Sequence, residues 1–237
     1  VTVLFRDTIE GLQNVFDNDI YQGAVILIIG APGCLKSGFT YNILSEHLKQ
    51  TEEFGIYMTL EETTESHIRN MKSLHIDLPD NLLISDYSDI RTRFENQDEN
   101  VEQPDFMVMI EGVIKFFKNK EGDKFTCFAL DSLGALVTLI GADNLRSRMF
   151  HFFKMLRSYN LISYIIMETP HGWDVARSEG GEGFLSDGII EFGSIENPHD
   201  VALYMQVLKM KAVSHSRKKH LIEIGEGGLA VLGPIFE

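Results

Sequence analysis

Basic residues are scarce in this chain: 21 Lys and Arg stand against 35 Asp and Glu, a formal net charge of −14 over 237 residues. A surface that grips a polyanion carries a basic patch or stripe. The local basic cluster here, Arg217-Lys218-Lys219-His220, reads as a solvated hairpin turn, so nucleic acid is not an expected partner. Long apolar runs are missing too. Spanning a bilayer takes roughly 20 consecutive apolar residues, and charge or glycine interrupts every run sooner, so no membrane insertion is expected. Residues Val1 to Glu10 contain Arg6, Asp7 and Glu10 and do not read as a signal peptide. Cysteine is limited to Cys34 and Cys127. That excludes a disulfide framework, and both read as reduced thiols of a cytoplasmic protein.

What is present supports one sizeable core. Hydrophobic residues make up 44% of the chain, and its length suits a single α/β domain over residues 1–237. Ala24 to Ile29 is a continuous apolar run rich in β-branched residues, as in a strand buried on both faces. Ser37 to Lys49 has helical spacing. Strands are expected at Gly55–Leu60, Leu82–Ser85, Phe125–Asp131 and Leu161–Met167, with helices near Thr63–Leu74, Phe106–Asn119 and Asp143–Ser158. Phe150, Phe153 and Leu156 of the last helix are expected in the core. Arg91 to Asp105 is polar, acidic and without periodicity, and reads as a mobile surface loop. Gly172 to Ser186 reads as a second loop. From Gly188 onward, four closely spaced strand-like segments follow: 188–192, 201–211, 219–224 and 229–232. The pattern predicts a mostly parallel twisted sheet flanked by helices and extended by C-terminal antiparallel hairpins.

Between the first strand and helix lies Gly30-Ala31-Pro32-Gly33-Cys34-Leu35-Lys36-Ser37, followed by Gly38. A Gly-rich turn leading into a helix N-terminus directs backbone N–H groups at phosphate oxygens. Lys36 is expected to reach the β- and γ-phosphates of a nucleoside triphosphate, most simply ATP, and the Ser37 hydroxyl to ligate Mg²⁺. Gly30 and Gly33 let the backbone bend and approach closely. One position departs from the pattern G-x-x-x-x-G-K-[ST]: Leu35 stands where glycine is expected before the lysine. It adds bulk beside the phosphates and restricts the backbone.

Two further features fall at the carboxyl edge of the predicted sheet, where α/β folds bind ligands. Asp131 ends its strand and suits either contact with Mg²⁺ or a cap for the next turn. Glu61 and Glu62 follow the second strand. Either one takes a proton from an attacking water, or the pair favours the dipole of the following helix. The histidines show no paired metal-ligand spacing. Those on helices, His47, His67, His75 and His151, read as surface or partly buried side chains.

Together these residues resemble the KaiC-like branch of the RecA superfamily of P-loop ATPases. Ile9-Glu10-Gly11-Leu12 is similar to that family's entry segment, Tyr57-Met58-Thr59-Leu60-Glu61-Glu62 to the strand with its paired catalytic glutamates, and Leu130-Asp131-Ser132 to its Walker B end. Gly183 to Ile190 resembles the segment entering its late hairpins, and Val207-Leu208-Lys209-Met210-Lys211 its Lys-Met-Arg strand. The resemblance covers nearly the whole chain. It implies a RecA-like core and a homo-oligomeric ring, often a hexamer, with ATP at subunit interfaces. Lys209 and Lys211 would act on a neighbour's γ-phosphate, although lysine at 211 lacks the planar fork of arginine and Ala212 replaces a glycine. Glu168 and Thr169 are candidate γ-phosphate sensors, and His171 and Trp173 lie nearby. The function implied is a slow Mg²⁺-dependent ATPase in signalling or regulation, with an unknown regulatory protein partner. The alternatives are an ATP-binding scaffold with little hydrolysis and a RecA- or RadA-like DNA-dependent ATPase.

Overall fold

A computed structural model describes residues 5–86, 105–141, 144–169, 182–197 and 200–235. Nine strands form one sheet: β1 (Val25–Gly30), β2 (Phe54–Thr59), β3 (Leu82–Asp86), β4 (Phe125–Asp131), β5 (Ile162–Glu168), β6 (Gly188–Asn197), β7 (Asp200–Met210), β8 (His220–Gly225) and β9 (Gly228–Pro234). Their order is β3-β2-β4-β5-β1-β6-β7-β8-β9. The pairs up to β6 are parallel, and β6 to β9 are joined antiparallel. This is the mostly parallel sheet with C-terminal hairpins that the pattern predicted, and it agrees with the RecA-like core that the resemblance implied.

Every residue of β1 is buried. Ile26 and Ile28 pack into one core cluster and Val25, Leu27 and Ile29 into the other. Such a strand has no solvated face, which is why its sequence shows no alternation. Helix α1 (Lys36–Lys49) sends Phe39, Tyr41 and Leu44 into the first cluster. Helices α3 (Phe106–Glu121), α4 (Leu133–Ile140) and α5 (Leu145–Ser158) cover the opposite face, and α2 (Thr64–Ser73) follows β2.

Two expectations change, and one unassigned run is resolved. The run Leu133–Ile140, left unassigned by periodicity, is helix α4, because the Ser132 side chain accepts from the Ala135 N–H at 3.3 Å and starts the turn. Phe153 and Leu156 are fully buried, but Phe150 is 49% exposed, since it lies off the stripe that packs. Residues 182–185 form a short helix, α6, rather than continuing the expected loop. Residues 172–181 of that loop, with Trp173, lie outside the described residues, as do His171 before it and the acidic stretch up to residue 104. Asp105 caps α3 through the Met107 N–H.

Candidate nucleotide site

The carboxyl ends of β1, β2, β4 and β5 meet at one edge. Gly30 is in register with Glu168, Thr59 with Asp131, and Asp131 with Ile166. The cleft they frame, about 450 Å³, is lined by residues 33–38 and by Glu61, Glu62, Asp131 and Glu168, among others.

The turn entering α1 depends on unusual backbone angles. Gly30 has φ 149°, and a Cβ there would lie 2.1 Å from the Phe192 carbonyl oxygen. Its missing side chain therefore makes room for β6 rather than for phosphates. Gly33, at φ 80°, has open space around it among the described residues and serves the bend itself. Leu35 takes φ 64° and ψ 19° at the helix N-cap, the left-handed conformation that glycine adopts freely, and its side chain packs against the core. A Cβ on Gly38 would meet Leu74 at 2.7 Å, so α1 packs closely against the end of α2.

Lys36 is buried, and its ammonium donates to the Ala31 carbonyl at 2.7 Å, folding back over the loop. The Ser37 hydroxyl donates to Asp131 Oδ2 at 2.7 Å, and so does the Tyr57 hydroxyl. Burial first, then the Asp131 charge, lifts the Tyr57 hydroxyl well above its usual range, so it remains a donor. Among the described residues, no group of three or more His, Cys, Asp or Glu side chains is arranged to hold a metal. A phosphate-bound Mg²⁺ asks less of the protein, one or two hard oxygens, and Ser37 with Asp131 behind it fits that donor set.

The two glutamates diverge. Glu61 accepts a hydrogen bond from Ser132 Oγ. Glu62 turns to α2, with Oε1 2.9 Å from His67 Nδ1 and Oε2 accepting from Asn70 at 2.9 Å. Glu168 is exposed at the end of β5, and the buried Thr169 donates its N–H to the Gly30 carbonyl.

Lys209 and Lys211 do not join this cleft. In the sheet, Gly30 is level with Phe192 and Met205, whereas Lys209 is level with Ile189 and Leu27. At about 3.3 Å per residue, that is roughly 10 Å toward the opposite edge. Lys209 donates to the carbonyls of Gly183 and Ser186 at 2.9 and 2.7 Å. Burial, and after it Lys211, pulls its ammonium below the usual range. Lys211 pairs with Asp187 at 3.0 Å, on the carboxylate that Arg157 also holds at 2.8 Å.

Tyr57, Ser132, His67, Asn70, Arg157 and Asp187 had not been singled out for these contacts. Tyr57 carried the one available signal: a phenol inside a buried strand needs a partner for its hydroxyl. No helix among the described residues is long and apolar enough to cross a membrane.

A family model described as "ATPase: KaiC" matches residues 5–234. A circadian clock oscillator protein KaiC from Parathermosynechococcus lividus is 23% identical over 94% of this chain and 41% of its own length. The KaiC of Synechococcus elongatus is 22% identical over 95% of this chain and 43% of its own. The circadian clock protein KaiC2 of Synechocystis sp. is 24% identical over 94% and 39%. The chain thus spans about two-fifths of the length of the curated relatives it matches.

Proposed function

The chain belongs to the KaiC family of ATPases, and from that premise we propose that it binds ATP with Mg²⁺ in the cleft at the carboxyl edge and hydrolyses it slowly, as a ring-forming regulatory protein of the cytoplasm. The observation that carries the reading is the convergence of three separate segments. Lys36 and Ser37 open α1, Asp131 closes β4 onto Ser37, and Glu61 lines the same cleft.

In this reading the backbone N–H groups at the start of α1 and the Lys36 ammonium hold the phosphates. Ser37 and Asp131 hold Mg²⁺, which when bound offsets phosphate charge. Glu61 orients a water and takes its proton as the oxygen attacks the γ-phosphorus. The bond from that phosphorus to the bridging oxygen breaks, leaving ADP and phosphate. Lys209 and Lys211, which are remote from the cleft of their own subunit, fit a role on a neighbour's nucleotide in a hexameric ring.

The test is multiple-turnover phosphate release. Release by the full chain is expected to exceed a Lys36→Ala control clearly and to fall at least tenfold in Glu61→Gln. Tight MgATP binding with release no greater than the control would favour a second reading, a nucleotide-gated scaffold. Leu35 in the loop and the turned-away Glu62 lend that reading support.

A further inference from the structure

We propose that His67 is a positioning residue for the cleft: through Nδ1 it latches the Glu62 carboxylate onto α2, so that Glu61 alone is presented to the phosphates. The inference rests on the reading that the cleft binds MgATP and adds a division of labour within the glutamate pair.

The imidazole of His67 is fully buried. It stacks on Tyr57, with ring centroids 4.3 Å apart, and meets the edge of Tyr41 at 5.3 Å. Its Nε2 is buried without a hydrogen-bond partner among the described residues. Leaving such a nitrogen unpaired is unfavourable, and a benzene ring in the same space would avoid that cost. The other nitrogen supplies the compensation. Nδ1 lies 2.9 Å from Glu62 Oε1, and an ionised carboxylate only accepts hydrogen bonds, so the proton sits on Nδ1. Asn70 holds the second oxygen. Both oxygens of Glu62 are therefore engaged by one helix, while Glu61 is tied only by Ser132 among the described residues.

The latch has an electrostatic purpose. Glu62 lines the same cleft as Glu61, Asp131 and Glu168. A fourth carboxylate swinging toward a triphosphate would repel it. His67 prevents this from a fixed post, because Tyr57, on which it stacks, is itself anchored to Asp131.

The test measures MgATP affinity of the full chain, so it does not depend on turnover. His67→Phe keeps the ring but removes the donor, and is expected to weaken MgATP binding at least fivefold. His67→Asn places an amide N–H near the Nδ1 position and is expected to bind within twofold of wild type. The decisive variant is His67→Phe combined with Glu62→Gln. Removing the freed charge should restore affinity to within twofold, a rescue that general damage by phenylalanine would not allow. A double variant that binds as weakly as His67→Phe overturns the proposal. Independently, ¹⁵N spectra of the imidazole should show a proton on Nδ1, and an Nδ1 without a proton overturns it as well. Failure of wild type to bind MgATP, with the Nδ1 proton present, would sink the nucleotide reading and leave the His67–Glu62 latch standing.

Discussion

The Tyr57 hydroxyl reaches the same carboxylate oxygen of Asp131 that the Ser37 hydroxyl reaches, each at 2.7 Å. One buried strand residue thus braces the group expected to face Mg²⁺. Tyr57→Phe removes that brace and keeps the ring stacked on His67. A hydrogen bond to a charged group contributes about 1.5–3 kcal/mol, so urea denaturation should show a loss of that order. A loss below about 0.5 kcal/mol would mean that the bond contributes nothing in solution.

Leu35 sets two effects against each other. Its left-handed backbone costs a non-glycine residue roughly 1–2 kcal/mol, while its side chain gains packing against the core. Comparing Leu35→Ala with Leu35→Gly separates them, since both lose the packing and only glycine relieves the backbone. The glycine variant should be the more stable by about 1 kcal/mol, read as a higher denaturation midpoint. Equal stabilities would show that position 35 does not hold φ near 64° in solution. The glycine variant should also turn over faster if the leucine restrains the loop.

The architecture was legible because buried parallel strands leave continuous apolar runs, as at Val25–Gly30, and because a loop followed by Lys36-Ser37 has few other uses. The carboxyl edge was legible for the same reason, since Asp131 and Glu61 each terminate such a run. What the sequence hid is directional. Adjacent glutamates read as one feature, yet Glu61 and Glu62 reach different helices, because side-chain bonds to Ser132 and His67 decide where each carboxylate goes. Helix α4 escaped because its eight residues, Leu133–Ile140, are almost uniformly apolar, and so short an apolar run does not distinguish a helix from a buried strand. Phe150 was placed in the core because spacing alone does not distinguish the packed side of a stripe from its margin.

Asp187 gives a pH dependence with a definite sign. Burial opposes its charge, but the Val25 N–H, Lys211 and Arg157 together hold its carboxyl below the ordinary value of 3.8. A carboxyl lowered by folding stabilises fully above its unfolded value and loses that contribution as pH falls toward its folded one. The stability gap between wild type and Asp187→Asn should therefore be largest near neutral pH and shrink below pH about 4. A gap that stays constant or widens as the pH falls through that range would show that the Asp187 carboxylate is not stabilised by its partners.

Action of Lys209 across a subunit boundary can be tested by mixing. Lys209→Met keeps the volume of the side chain and spares the Lys211–Asp187 pair. A pure Lys209→Met preparation should lose about 100-fold in phosphate release, the scale set by removing one group that stabilises developing charge. A pure Lys36→Ala preparation should be inactive because it cannot hold the phosphates. In a mixed ring, a Lys209→Met subunit offers an intact phosphate loop, and a Lys36→Ala neighbour offers an intact Lys209. Action in trans rebuilds complete sites between the two, so release should rise above both parents and peak near equal proportions. If the lysine served only its own subunit, or only the Gly183 and Ser186 carbonyls it contacts here, neither partner could repair the other. Release would then follow the weighted sum of the parents at every ratio.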